Sequence, residues 1–286
     1  MLYKTASDWN SATHKRVLFF GMSGLGKTYL SNLLRDQGDW FHYSADYRIG
    51  TRYMGEHIAD NFKAEAMKVP FLRELLMTDS IRISSKISFD NLTPVATYLG
   101  KPGDVAKGGL PIGEYRRRQE QFKQAEIAAL MDTPSFIDRA ERIYGYAHFI
   151  CDSGGSICEW IDPALGENDP LIKELSKHCL LVWLKGDDAH TKELVRRFDR
   201  APKPMAYQPE FLVQAWDKYL SEFSMKEEDV DPDSFIRWTY AQALAHRQPL
   251  YSHMARYGVS LCAHEVAQIK TAADFDRMIA AAIDAA

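Results

Sequence analysis

The stretch "VLFFGMSGLGKTYLSNLL", residues 17–34, changes character twice. Val17–Phe20 have the length and the aromatic and β-branched content of a buried strand. Glycines at 21, 24 and 26 then interrupt, Lys27 and Thr28 follow, and Leu30, Leu33 and Leu34 resume at helical spacing. The pattern is G-x-x-x-x-G-K-[ST] between a strand and a helix, the setting in which it cradles phosphates. Glycine lets the backbone turn its N–H groups inward where a side chain would obstruct them. The helix beginning at Lys27 adds its positive dipole end at the same point. Gly21, Ser23, Gly24, Gly26, Lys27 and Thr28 are therefore the expected phosphate-binding residues. Lys27 is expected to reach the β- and γ-phosphates and Thr28 to ligate Mg²⁺, which makes ATP and Mg²⁺ the expected cofactors. The pattern leaves open whether the phosphate is transferred, hydrolysed or only sensed.

The chain has 286 residues, of which 46% are apolar, enough for a sizeable core without metals or disulfides. A formal net charge of −4 gives no general reason to expect nucleic acid. The four cysteines, Cys151, Cys158, Cys179 and Cys262, show no C-x-x-C spacing, and buried reduced thiols are expected. The opening residues lack an apolar targeting core and no run approaches membrane-spanning length, so a soluble cytoplasmic protein without a membrane partner is expected.

Short apolar runs recur at 16–20, 40–45, 147–152, 179–184 and 258–262, with helical patterns between them. This alternation is the signature of a parallel sheet wound with helices, an α/β fold. Residues 1–52 and 146–286 are read as the core, with a lid at about 198–208 and a helical insertion at 206–246. Residues 53–145 hold no clear strand and read as a mostly helical insertion or substrate-binding region. Within it, 87–111 is loop-like, carrying Pro94, Pro102 and Pro111.

Ligands of α/β sheets bind outside the carboxyl ends of the strands, so those ends hold the remaining candidates. The second ends "YSADYRIGTR", where Asp46 could take a proton from a substrate hydroxyl and Arg48 could bind the substrate. The third ends "CDSGGS", where Asp152 could hold Mg²⁺ and Gly154 and Gly155 permit close approach of a ligand. Arg197, Arg200 and Lys203, in "VRRFDRAPKPM", suit a lid closing over phosphates. The nine histidines show no H-E-x-x-H spacing. His42 reads as a half-buried core histidine, and the run Arg116–Arg118 as a solvated helix face.

The order of these motifs resembles the shikimate kinase family and, more broadly, the small-metabolite P-loop kinases that include gluconate kinase. "GMSGLGKT" looks like that family's phosphate loop. "SAD" stands where the family has two aspartates flanking one residue, with Ser44 in place of the first and Asp46 matching the substrate-binding one. "EYRRRQE" is similar to its aromatic–Arg motif and would make Arg116 a substrate arginine. "CDSGGS" falls on its glycine triplet, with Ser153 replacing a glycine and Asp152 the usual Ser or Thr. "RRFDRAPKPM" looks like its arginine lid, with Lys203 at an arginine position. "HRQPLY" resembles its R-x-P-L-Y segment, placing Arg247 on the second substrate arginine. The resemblance covers roughly 1–52, 112–205 and 245–286. It implies a P-loop sandwich with a five-stranded parallel sheet of order 2-3-1-4-5.

The leading expectation is a kinase that moves the γ-phosphoryl group of ATP to a hydroxyl of a small, anionic metabolite. Lys27 and Asp46 would be the catalytic residues; Asp46, Arg48, Arg116, Gly154, Gly155 and Arg247 would hold the acceptor. Two other readings stay open: an ATPase or NTP-dependent switch acting on a protein partner, and a kinase of a larger target such as a nucleotide-sugar or RNA.

Overall fold

Each of the five apolar runs forms a strand: β1 Arg16–Phe20, β2 Trp40–Ser44, β3 His148–Asp152, β4 Leu180–Lys185 and β5 Val259–Cys262. In the computed structural model, which describes residues 1–286, they make one parallel sheet of order β2-β3-β1-β4-β5. The expected α/β class and strand order are therefore present. The runs are continuously apolar because helices cover both faces.

The helices, in chain order, are α1 Ala6–Ser11, α2 Lys27–Asp36, α3 Ala45–Arg48, α4 Gly55–Ala66 and α5 Pro70–Met77. They continue with α6 Thr93–Leu99, α7 Ile112–Met131, α8 Thr133–Arg142, α9 Pro170–His178 and α10 Asp188–Arg200. The last four are α11 Pro209–Phe223, α12 Pro232–Ala255, α13 Ala263–Val266 and α14 Ala272–Asp284. No helix is long and apolar enough to cross a membrane.

The chain divides into two compact units. The first comprises 1–45, 127–202 and 237–286 and holds the sheet; the second comprises 46–126 and 203–236 and is helical. These boundaries differ from the 52/53 and 145/146 read from the sequence. One reason lies in α8, whose Phe136 packs on Tyr43 of β2 with ring centroids 4.5 Å apart and so belongs with the sheet.

Alternation along the strands separates the two sheet faces. Phe19 and Trp40 meet Phe275 of α14 edge-on at 5.8 Å each, and Phe275 meets Trp9 of α1 at 6.2 Å. On the other face Phe20 and Trp183 contact Tyr251 of α12 at 6.2 and 6.3 Å. Trp9, Phe19, Phe20, Tyr251 and Phe275 are fully buried, and such aromatics contribute much of the apolar area removed from water.

Three sequence expectations need correction. Residues 87–111 are not all irregular, because α6 forms inside them. Pro94 sits in its first turn, where a missing N–H costs nothing, and Val95, Tyr98 and Leu99 bury one helical stripe. The surrounding proline and glycine density hid that period. Helix α12 does not end with the helical insertion read at 206–246 but runs through Pro249 to Ala255. Tyr251 and Met254, beyond the proline, are buried, and their packing offsets a break that costs about 3 kcal/mol in an unpacked helix. All four thiols are free, but Cys262 is exposed while Cys151, Cys158 and Cys179 are buried. Cys262 falls on the outward side of the edge strand β5, whose burial alternates.

Candidate functional site

The glycine loop, residues 21–26, leaves the carboxyl end of the middle strand and enters α2. Gly21, Gly24 and Gly26 all take left-handed backbone, with φ of +131°, +86° and +100°. A Cβ at Gly21 would stand 2.6 Å from the Leu184 carbonyl oxygen. At Gly24 it would meet Leu194 of α10 at 3.1 Å, and at Gly26 it would meet Val266 of α13 at 2.9 Å. The glycine spacing is thus set both by backbone conformation and by close neighbours. Lys27 opens α2, and its buried ammonium donates to the carbonyls of Gly21 and Met22 at 2.7 and 3.0 Å. These bonds hold a positive charge against the loop.

The Thr28 hydroxyl donates to Asp152 Oδ2 at 3.1 Å, across 124 residues of chain. Strand register explains the meeting. Asp152 at the end of β3 pairs with Phe19 of β1 and with Ser44 of β2. His42 joins the same cluster, with Nε2 3.6 Å from Asp152 Oδ2 and its side chain 3% exposed. It lies two residues before Ser44, so alternation puts it on the sheet face of Asp152. The pairing of β2 with β3 is the signal that would have found it.

Ser153 fastens the end of β3 to β1, its hydroxyl donating to the Phe19 carbonyl at 2.8 Å. Gly155 lies against the glycine loop: a Cβ there would meet Ser23 Oγ at 3.2 Å, and the Tyr251 hydroxyl donates to its carbonyl. Its close neighbours are protein groups of the loop and of α12; Gly154, beside it, is buried.

Arg247, on α12, donates through Nε to Glu159 Oε1 at 2.6 Å, and His246 Nε2 lies 3.4 Å from Glu159 Oε2. The Glu159 side chain is fully buried. Burial alone would push its carboxyl up, but the Arg247 charge and the bonds from His246 and Arg247 outweigh burial and leave it below its ordinary value. Arg247 is likewise raised by Glu159 against the opposing effect of its own burial.

Arg197 and Arg200 lie exposed in the last turn of α10, where their charge suits the helix dipole. Arg197 is paired with Glu193 at 2.8 Å. Phe198 stacks on Tyr240 at 3.7 Å, and Arg237 donates to the Asp199 carbonyl at 3.0 Å, fastening the end of α10 to α12. A cavity of about 350 Å³ opens on the outer side of the glycine loop. Gly24, Gly26, Tyr29, His190, Ala263 and Lys270 are among its walls.

The remaining sequence candidates belong to the second unit. Asp46 and Arg48 are half-buried on α3, two and four residues beyond Ser44, and the Arg48 guanidinium stands 5.5 Å from the Tyr53 ring. A π-helical turn, Ile49–Tyr53, follows directly. On α7 Arg116 is exposed, while its neighbours Arg117 and Arg118 both bind Glu114, at 2.8 and 2.7 Å. The Arg117 bond is the stronger influence on the Glu114 carboxyl; with Arg118 it outweighs partial burial and lowers the group to about 2. The expected solvated face holds for Arg116 and Arg117 but not for Arg118, which is buried and also donates to the Tyr98 carbonyl and Asn61 Oδ1.

Lys203 is exposed in an irregular stretch, but the chain just beyond it is anchored. Gln119 and Tyr115 of α7 donate to the Met205 carbonyl, and Gln119 accepts from the Tyr207 N–H. Of the expected lid at 198–208, residues 198–200 are therefore helix and 205–207 are bonded to α7, leaving 201–204 as the irregular link. No protein-family model matches the chain, and no curated protein matches its sequence.

Proposed function

We propose that this chain is a P-loop kinase that binds ATP with Mg²⁺ and transfers the γ-phosphoryl group to a hydroxyl of a small, anionic metabolite. The observation that carries the reading is the 3.1 Å bond between Thr28 and Asp152 beside the charge of Lys27. The two oxygens are hard donors of the kind Mg²⁺ takes, and oxygens bound to one Mg²⁺ at about 2.0–2.1 Å stand about 2.9 Å apart in an octahedron. Mg²⁺ held there would neutralise phosphate charge. Lys27, fixed by two loop carbonyls, would stabilise the charge that grows on the transferring group. The adjacent cavity has the size of a small-molecule pocket and suits the nucleotide's base. Asp46 is assigned to the acceptor hydroxyl, with Arg48 and Arg116 as the cations for the acceptor's anion.

The pairing of Arg247 with Glu159 favours a second reading, in which the nucleotide is hydrolysed to act on a protein partner. That chemistry requires no second acceptor-binding arginine. The deciding experiment measures ADP release from ATP with and without a panel of hydroxy acids and sugars. The kinase reading expects turnover that depends on one acceptor class. Turnover at full rate with no acceptor sinks it in favour of hydrolysis, and failure to bind ATP·Mg²⁺ sinks both. Lys27→Ala should lower turnover by on the order of 10²–10³, since it removes a donor to the developing charge.

A further inference from the structure

Around His190, a residue of the cavity wall, Asp187, His190 and His264 converge from two separate elements. Asp187 caps α10, accepting from the His190 N–H at 2.8 Å through Oδ1. The His190 ring Nδ1 stands 2.7 Å from the same oxygen, and His264 Nε2 of α13 stands 2.8 Å from Oδ2. The two imidazole rings are 4.9 Å apart, edge to face. One donor atom from each of the three residues can be chosen so that all lie within 4.8 Å of one another. The side chains of Asp187 and His264 are 47% and 72% exposed, so an ion reaches them from solvent.

From this geometry we infer that Asp187, His190 and His264 form a binding site for a zinc-class divalent cation. Two imidazoles and one carboxylate are a donor set suited to Zn²⁺ and its neighbours rather than to Mg²⁺ or Ca²⁺. Zinc ligands at about 2.0–2.1 Å stand about 3.3 Å apart in a tetrahedron, within the span these atoms already cover. Asp187 needs only Oδ2 for the ion and keeps Oδ1 for its helix cap. Each imidazole binds neutral, its ring proton residing on the nitrogen that faces away from the ion. Three protein ligands leave one position for water.

The position of the site gives it a consequence. Leu194 of α10 lies where a Cβ on Gly24 would reach it, and Val266 of α13 lies in the same relation to Gly26. A cation joining Asp187 and His190 to His264 ties the start of α10 to α13, which both supply walls of the cavity, and stiffens the surroundings of the glycine loop. The site does not depend on the chain being a kinase.

The test is Zn²⁺ titration of tag-free protein by calorimetry, with Co²⁺ absorption as a second readout of coordination. About one ion per chain is expected, with Co²⁺ bands of a site containing nitrogen ligands, and heat stability that rises with added Zn²⁺. His264→Ala and Asp187→Asn should each weaken Zn²⁺ binding more than about 100-fold, because loss of a ligand exceeds the effect of losing a supporting group. All three residues are partly exposed, and circular dichroism of each variant verifies its folding. Cys262→Ser, two residues from His264, should leave binding unchanged. Absence of Zn²⁺ or Co²⁺ binding to the folded wild type overturns the inference. So does binding that survives both ligand variants or disappears in Cys262→Ser, since the ion is then held elsewhere.

Discussion

Thr28 and Asp152 of the first unit are 124 residues apart in the chain and share a hydrogen bond, whereas Arg116 and Arg118 of the second are nearly adjacent and share almost nothing. In the sheet, parallel register carries distant residues to one level, and alternation aims them at one face. On a helix, two residues in sequence turn the side chain by about 200°, so Arg118 is buried in bonds while Arg116 faces solvent. The same contrast separates the two acidic partners. Glu159 is buried against an arginine from a distant part of the chain; Glu114 is held by arginines three and four residues along its own helix. Polar chemistry buried between distant parts of the chain is costly to disturb, and polar chemistry drawn together by helix neighbours near the surface is cheap.

The largest expected effect lies at the buried pair. Arg247→Met should destabilise the protein by about 3–5 kcal/mol by leaving Glu159 uncompensated. The double variant with Glu159→Gln should recover much of that loss in urea unfolding. An additive double variant would show that the two groups do not compensate each other and would place Glu159 with Glu114. Next comes Gly21→Ala, which combines a φ of +131° with a Cβ 2.6 Å from a carbonyl oxygen. A loss of about 2–4 kcal/mol is expected from strain and overpacking together. A near-neutral result would mean that the loop and the end of β4 move apart easily.

In the second unit Arg118→Ala should cost about 1.5–3 kcal/mol through its lost charge-assisted bonds, and Arg116→Ala less than about 0.5 kcal/mol. Equal losses in the two variants would erase the distinction between buried and solvated arginines. The smallest effect is a pH dependence. The Glu159 carboxyl lies below its ordinary value, so its contribution is full above the unfolded value of about 4.3 and is lost as pH falls through the folded one. The stability gap between wild type and Glu159→Gln should accordingly narrow on going from about pH 5 toward pH 3. A gap that widened instead would reverse the sign assigned to the pair. Glu114, lowered to about 2 but largely solvated, should contribute less than about 1 kcal/mol and lose it in salt.

Much of this was legible in the chain. The strand positions were readable because the buried runs are short, apolar and flanked by glycine or polar punctuation. Helix α6 was not, since the prolines and glycines around it outweighed a buried stripe of three residues. The continuation of α12 past Pro249 was not, because proline is a local stop signal and the packing of Tyr251 and Met254 that overrides it is remote. In the site, Lys27, Thr28 and Asp152 could be named from their motifs. His42 reads locally as a core histidine; only the register of β2 against β3, which puts it two residues before Ser44 on the face of Asp152, brings it into the cluster.

The sequence alone determined where the five strands would fall and which loop would demand glycine, because these are short-range preferences of neighbouring residues. Only the tertiary structure decided which distant groups would meet. Thr28 found Asp152, Arg247 found Glu159 and His264 found Asp187 because register and packing are set by contacts across the whole unit, and no window of sequence contains both partners.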